Sequence, residues 1–261
     1  MQKSERPLIL ITNDDGIKAG GLAALVEVAK PFGDIVVVVP NESYSAMSHA
    51  ITVKHPLYVK EVKRKKGLIL YKVNGTPADC IKLAINTLLD RKPDIILSGI
   101  NHGSNSSVSI HYSGTMGAAR EGAINNIPAI GFSLLSHSHD ADFSYAKPYV
   151  KKVLSHTIAT ELPTGTFLNV NIPDGDNLKG VKICRQAKGK WVEELIERED
   201  PRNRKYFWLT GYFKNFEPEA TDTDEYALQE GYVSVVPCSI DTTDYQYLNQ
   251  LKNIQDELQV Q

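Results

Sequence analysis

Cysteine is scarce in this chain: three in 261 residues, an odd set at wide spacing. Cys80, Cys184 and Cys238 offer neither a disulfide framework nor a zinc cluster, so they read as free thiols of a reducing compartment. Charge imbalance is also missing, with a net charge of -2. That removes the electrostatic grip on a nucleic acid duplex or an anionic membrane surface. The one basic run, KRKK at 63–66, stops at Gly67 and reads as a solvated turn between strands. No apolar run approaches the ~20 residues of a membrane span. The opening MQKSERP enters a strand pattern with no apolar leader and no cleavage signal. The expectation is a cytoplasmic protein with no membrane partner. Internal repeats and low-complexity segments are absent as well.

Two nucleotide-binding signatures are lacking. No G-x-x-x-x-G-K-[ST] follows a strand, and the first strand does not run into G-x-G-x-x-G. A covalent aspartyl phosphatase would separate its two aspartates by one residue, and here they are adjacent.

What the chain does have is short runs that are apolar throughout: LILIT at 8–12, IVVVV at 35–39, DIILSG at 94–99, AIGFSL at 129–134 and FLNVNI at 167–172. Such strands are buried on both faces, as in parallel sheets. Helical patterns lie between them: GLAALVEVAKPFG, TPADCIKLAINTLLDRKP, GTMGAAREGAINN and YAKPYVKKVLSHTIATEL. In the second, Thr76 suits the N-cap, Pro77 the first helical position and Asp79 the capping box. Arg120 and Glu121 are expected on the exposed face of the third.

Alternation of strand and helix to about residue 172 predicts an α/β fold, a Rossmann-like doubly wound, mostly parallel sheet. After Pro173 the pattern changes. KGKWVEELIERED, RKYFWLTGYF and GYVSVVP read as a β-rich arm. A terminal amphipathic helix over 245–259 carries Leu248, Leu251, Ile254 and Leu258 on one stripe. The expected division is a catalytic core over 1–180 and a C-terminal extension over 181–261 that serves oligomerisation.

Ligands of open α/β sheets bind beyond the carboxyl ends of the strands. The first strand ends in Asn13-Asp14-Asp15-Gly16, where a turn lets two repelling carboxylates converge. A divalent cation relieves that repulsion, and oxygen donors suit Mg²⁺ or Mn²⁺ without choosing between them. Ser113, Gly114 and Thr115 open a helix, where free N–H groups and the helix dipole attract phosphate. Asn101 and Asn105 lie in the glycine-containing loop between these features. Together they suggest metal-assisted hydrolysis of a phosphomonoester. The cation would polarise a phosphoryl oxygen and lower the pKa of a bound water, with Asp14 or Asp15 orienting that water or taking its proton. His49, His102 and His111 are the candidate general acids by position.

ILITNDDG, the loop from Pro40 through Ser45 to H.IT, NGTPADC, SGIN.G.N, YSGT..AAREG and the late TDTDEYAL..GYVSVVP occur in this order along nearly the whole chain. The sequence resembles the SurE (survival protein E) family, the stationary-phase-survival 5′/3′-nucleotidases. The resemblance implies one divalent cation per subunit on Asp14, Asp15, Ser45 and Asn101, with Asn105, Ser113, Gly114 and Thr115 on the phosphate side. It further implies nucleoside monophosphate substrates, with 3′-nucleotides or short polyphosphate as extensions, and homodimers or homotetramers with an exchanged C-terminal arm. Departures from the family pattern are Asn41-Glu42 in place of Asp-Arg, Ser48 where glycine is common, Ser106-Ser107-Val108-Ser109 in place of a glycine-rich acidic run, and Gly117 in place of alanine. They leave the metal ligands intact and bear on substrate preference. Two other classes remain open: a metal-dependent transferase using a nucleotide diphosphate, and a non-enzymatic module that binds a nucleotide without turnover.

Overall fold

The computed structural model describes residues 6–138 and 140–254. In chain order the core elements are β1 (Leu8–Thr12), α1 (Gly20–Ala29), β2 (Asp34–Pro40), β3 (Val59–Lys65), β4 (Leu68–Val73), α2 (Pro77–Leu83), β5 (Ile95–His102), α3 (Gly114–Ile124), β6 (Ala129–Leu134), α4 (Lys147–Thr160) and β7 (Thr166–Ile172). Then follow β8 (Val181–Ile183), β9 (Gly189–Val192), β10 (Leu195–Glu199), β11 (Lys205–Leu209), β12 (Tyr212–Asn215), α5 (Asp224–Gln229), β13 (Val233–Ser239) and α6 (Tyr245–Lys252).

Nine strands form the main sheet in the order β3-β4-β2-β1-β5-β6-β7-β13-β8. Pairing from β4 to β7 is parallel throughout, and within the described residues of this sheet the antiparallel pairs are β3 with β4 and β13 with β7. The mostly parallel α/β architecture expected from the apolar runs is the one observed. Each run splits its side chains between two layers, because successive strand residues point to opposite faces. Ile9, Ile11, Ile35, Val37, Ile95 and Leu97 pack with α1 and α4. Leu10, Val36, Val38 and Ile96 pack with α2 and α3. At about 25 cal/mol per Å² of apolar surface removed from water, these two layers supply the main stabilisation.

Several local expectations are refined. Thr76 and Asp79 form a reciprocal capping box, with Pro77 in the first turn. That helix is shorter than its pattern: α-geometry stops at Leu83 and one wide turn, Ala84–Leu88, follows. KRKK sits on a hairpin, with 63–65 ending β3 and Lys66-Gly67 making the turn into β4. Beyond the core, β8 and β13 join the main sheet, so part of the 181–261 segment completes the sheet. The rest stands off it as the β9/β12 ladder and the β10/β11 hairpin. Within the terminal helix pattern, α6 covers 245–252 and buries no residue, and positions from 255 onward, Leu258 included, lie outside the described residues.

Candidate active site at the sheet switch point

From β1 the chain steps one way to β2 and later returns to lay β5 on the other side of β1. A crevice opens at such a reversal, beyond the carboxyl ends of the two flanking strands. Asn13-Asp14-Asp15 and Asn101-His102 occupy those two ends. A cleft of about 570 Å³ lies there, lined among others by Asp14, Ser45, Asn101, His102, Asn105, Tyr112 and Ser113.

Asp14 is almost fully buried, at 4 % exposure. Its Oδ1 accepts the Thr115 hydroxyl at 2.6 Å and its Oδ2 accepts the Thr115 backbone N–H at 3.2 Å. The approach depends on Gly114, because a Cβ there would stand 3.1 Å from both the Cβ and Oδ2 of Asp14. Burial pushes the Asp14 carboxyl up to about 6; the Thr115 hydrogen bond restrains the rise and neighbouring Asp15 adds to it. Asp15 is less buried and is also raised, first by burial. Its Oδ2 accepts the His102 N–H at 3.3 Å, which ties the end of β1 to the end of β5.

Asn101 donates its amide Nδ2 to the Gly103 carbonyl at 2.9 Å and lines the cleft, and its Oδ1 is not spent in that bond. Ser45 sits on the exposed loop after β2, a loop pinned at several points. Tyr44 N–H donates to the Asp14 carbonyl at 2.8 Å, Ser48 N–H to the Tyr112 carbonyl at 2.9 Å and the Ser48 hydroxyl to the His111 carbonyl at 2.6 Å. Thr52 N–H reaches the carboxylate of Asp79 at 3.0 Å, so the capping residue of α2 also anchors this loop.

Glu121 is not on an exposed face. Its side chain is 3 % accessible and meets His49 Nε2 at 2.9 Å and Lys82 Nζ at 2.9 Å, with Asn125 Nδ2 donating at 2.8 Å. Helical periodicity put it outside because it ignored the loop that folds over α3. Burial pushes this carboxyl up, but the hydrogen bonds from His49, Lys82 and Asn125 outweigh it and the net displacement is downward.

On the phosphate side the residues divide. Ser113 caps α3, accepting the Met116 N–H at 3.0 Å, and lines the cleft. Asn105 also lines it while donating Nδ2 to Ser133 at 2.7 Å; its backbone N–H is held by Asn171 at 2.8 Å and its carbonyl by Asn169 at 2.8 Å. Gly114 and Thr115 are buried behind Asp14 and shape the helix start from within. Of the histidines, His49 is committed to Glu121 and only His102 of the three expected candidates borders the cleft. His137 borders it as well. So do Trp191, Glu194, Leu209 and Thr210 from the arm, none of which sequence reasoning placed at the site. Their signal was the aromatic, strand-like pattern of 189–213, which shows an arm but not where it folds.

The donor set at the strand ends is all oxygen: two carboxylates, a hydroxyl and an amide carbonyl. Among the described residues no group of three or more His, Cys, Asp or Glu side chains is arranged to hold a metal ion by itself, so hydroxyl and amide oxygens would have to complete the set. Oxygen donors of this kind fit a hard divalent cation, whose charge would offset both the burial that chiefly drives Asp14 upward and the smaller repulsion from Asp15.

The family model for survival protein SurE matches residues 9–193. The chain belongs to the SurE family. A 5′-nucleotidase SurE of Phocaeicola vulgatus is 49% identical over 96% of this chain and 98% of its own length. One of Cytophaga hutchinsonii is 51% identical over 94% and 96%. The crystal structure of a SurE protein from Aquifex aeolicus superposes with a TM-score of 0.82 at 35% identity, covering 96% of this chain and all of that one. The similarity extends past the matched domain into the arm. No described helix is long and apolar enough to cross a membrane.

Proposed function

We propose that the chain is a 5′-nucleotidase that hydrolyses nucleoside monophosphates in the cytoplasm with one divalent cation, Mg²⁺ or Mn²⁺, per subunit. The observation that carries this reading is the convergence of Asp14, Ser45, Asn101 and Ser113 on one cleft at the switch point, with Asp15 tied to the same strand ends. Relatives of nearly equal length named 5′-nucleotidase SurE support it.

Asp14, Asp15, Ser45 and Asn101 would hold the cation, which when bound supplies Lewis-acid polarisation of the phosphoryl group and acidification of water. In this reading the Ser113 hydroxyl and the second hydrogen of the Asn105 amide serve the phosphate oxygens at the start of α3, where the helix dipole favours anionic charge. Gly114 and Thr115 keep that helix start against Asp14. In this reading Asp14 or Asp15 takes the proton of the attacking water, with Asp15 the less buried of the two. The P–O ester bond breaks and the departing ribose oxygen takes a proton from His102 or His137, both at the cleft. None of these groups reads which ribose carbon bears the ester, so 3′-monophosphates and short polyphosphate belong in the substrate panel.

Residues 1–180 form the catalytic core in this reading, and 181–261 bring subunits together as a homodimer or homotetramer. The hairpin exposes Leu195, Phe207 and Trp208 at 64%, 56% and 64%, more apolar surface than a lone ribbon in water favours.

The test is phosphate release from AMP with Mn²⁺ or Mg²⁺, with and without chelator, for the native chain and Asp15→Asn. The expected result is a loss of roughly 100-fold or more in both the chelated and the substituted enzyme. Activity that survives either treatment excludes the metal-dependent reading. Binding of AMP without turnover would favour the non-enzymatic alternative.

A further inference from the structure

The cleft has two unlike walls. One is the polar set of strand ends and helix start just described. The other comes from the arm: Trp191 within β9, Glu194 after it, Leu209 closing β11, and Thr210 between β11 and β12. A nucleoside monophosphate has the same two-part character, a charged phosphate and a flat ring with apolar faces. The cleft volume of about 570 Å³ lies within the range of small-molecule sites.

The arm wall is bolted to the phosphate wall. Asp224, with no exposure, accepts the Ser107 N–H at 2.8 Å and the Ala187 N–H at 2.9 Å. The Ser107 hydroxyl donates to the Ala187 carbonyl at 2.9 Å. Thus the root of β9 is fixed to the segment that begins with Asn105. Trp191 sits opposite Phe213 in the β9/β12 ladder, and Leu195 opposite Leu209 in the hairpin. Thr210 N–H donates to the Glu194 carbonyl at 2.8 Å, closing the corner where ladder and hairpin meet. Leu209 is left 76% exposed at that corner, a large apolar side chain that the fold itself does not cover.

We propose that Trp191 and Leu209 form the platform for the substrate's nucleobase, so that the arm, and not the catalytic core, sets how strongly a nucleotide is preferred over a bare phosphate ester. The platform rests on the nucleotidase reading above. Stacking on one aromatic face is tolerant of base identity, which makes this a site for nucleobases as a class. Trp191 touches no reacting atom and is a specificity residue.

The experiment compares AMP with ribose 5-phosphate, the same ester without its base, on the full-length Mn²⁺-loaded chain. Trp191→Ala raises KM for AMP roughly tenfold, the size of one lost stack, with kcat within about twofold. KM for ribose 5-phosphate stays unchanged. Trp191→Phe restores most of the AMP affinity, and Leu209→Ala, at an exposed position with little bearing on folding, gives a smaller shift in the same direction. Equal changes for both esters, or no change for either, would overturn the platform while leaving the nucleotidase reading intact. A native chain that hydrolyses neither ester would overturn the nucleotidase reading and the platform with it.

Discussion

The carbonyl oxygen of Ser48 lies 2.3 Å from where a Cβ at position 117 would stand. These two positions, which the resemblance singled out one by one in the sequence, meet in the fold. Ser48 also adopts a left-handed backbone, with φ of 54°. Gly117→Ala would ordinarily stabilise a helix by up to ~1 kcal/mol. Here it is expected to destabilise by about 1–3 kcal/mol, because backbone must move. Urea denaturation gives the sign. A stabilised variant would show that the loop over α3 yields freely.

Thr115 supplies two hydrogen bonds to a carboxylate that is 4 % exposed. Thr115→Val removes the hydroxyl and leaves a buried acceptor short of a partner, at a cost of about 1–3 kcal/mol. Thr115→Ser keeps the hydroxyl and is expected to retain most of the stability and of the phosphate release. The pair of variants separates the hydrogen bond from simple packing. Equal losses in both would assign the effect to the missing methyl.

Glu121 links the Ser45 loop, α2 and α3 through His49, Lys82 and Asn125. Its carboxyl titrates below the ordinary range in the folded chain. The stability that it contributes is therefore full above the unfolded-state value and is lost as pH falls through the lower folded one. Glu121→Gln is expected to be less stable than the native chain by about 1–3 kcal/mol at neutral pH, and the gap should narrow on acidification. Melting temperatures across pH 3 to 7 check it, and a gap that widens in acid would contradict the assignment.

Asp224 joins the arm to the core by accepting the backbone N–H groups of Ser107 and Ala187, and it also accepts that of its neighbour Glu225. Asp224→Asn turns part of that acceptor into a donor facing donors. Local unfolding of 187–192 should become easier, seen as faster amide exchange there, and a loss of about 2 kcal/mol or more is expected for charge-assisted bonds. Unchanged exchange in β9 would show that the ladder stands without this anchor.

Much of the fold is legible in the chain because burial on both faces leaves a one-dimensional trace. LILIT and AIGFSL coincide with β1 and β6 residue for residue. Thr76, Pro77 and Asp79 announce α2 by local chemistry alone. The edge hairpin of β3 and β4 leaves a weaker trace, since β3 is exposed along its length and its pattern is set by solvent. Glu121 was misplaced for the converse reason: helix periodicity describes one helix, and its burial comes from a loop about 70 positions away in sequence.

The sequence by itself determined the strand ends, the paired aspartates, the helix start at Ser113 and the oxygen chemistry that these share, because each depends on neighbours along the chain. Tertiary structure alone decided that Thr115 would spend its donors on Asp14, that His49 would turn to Glu121 and that Trp191 and Leu209 would close the cleft. Those outcomes depend on which distant segments are brought within hydrogen-bonding or contact distance, and no local pattern carries that information.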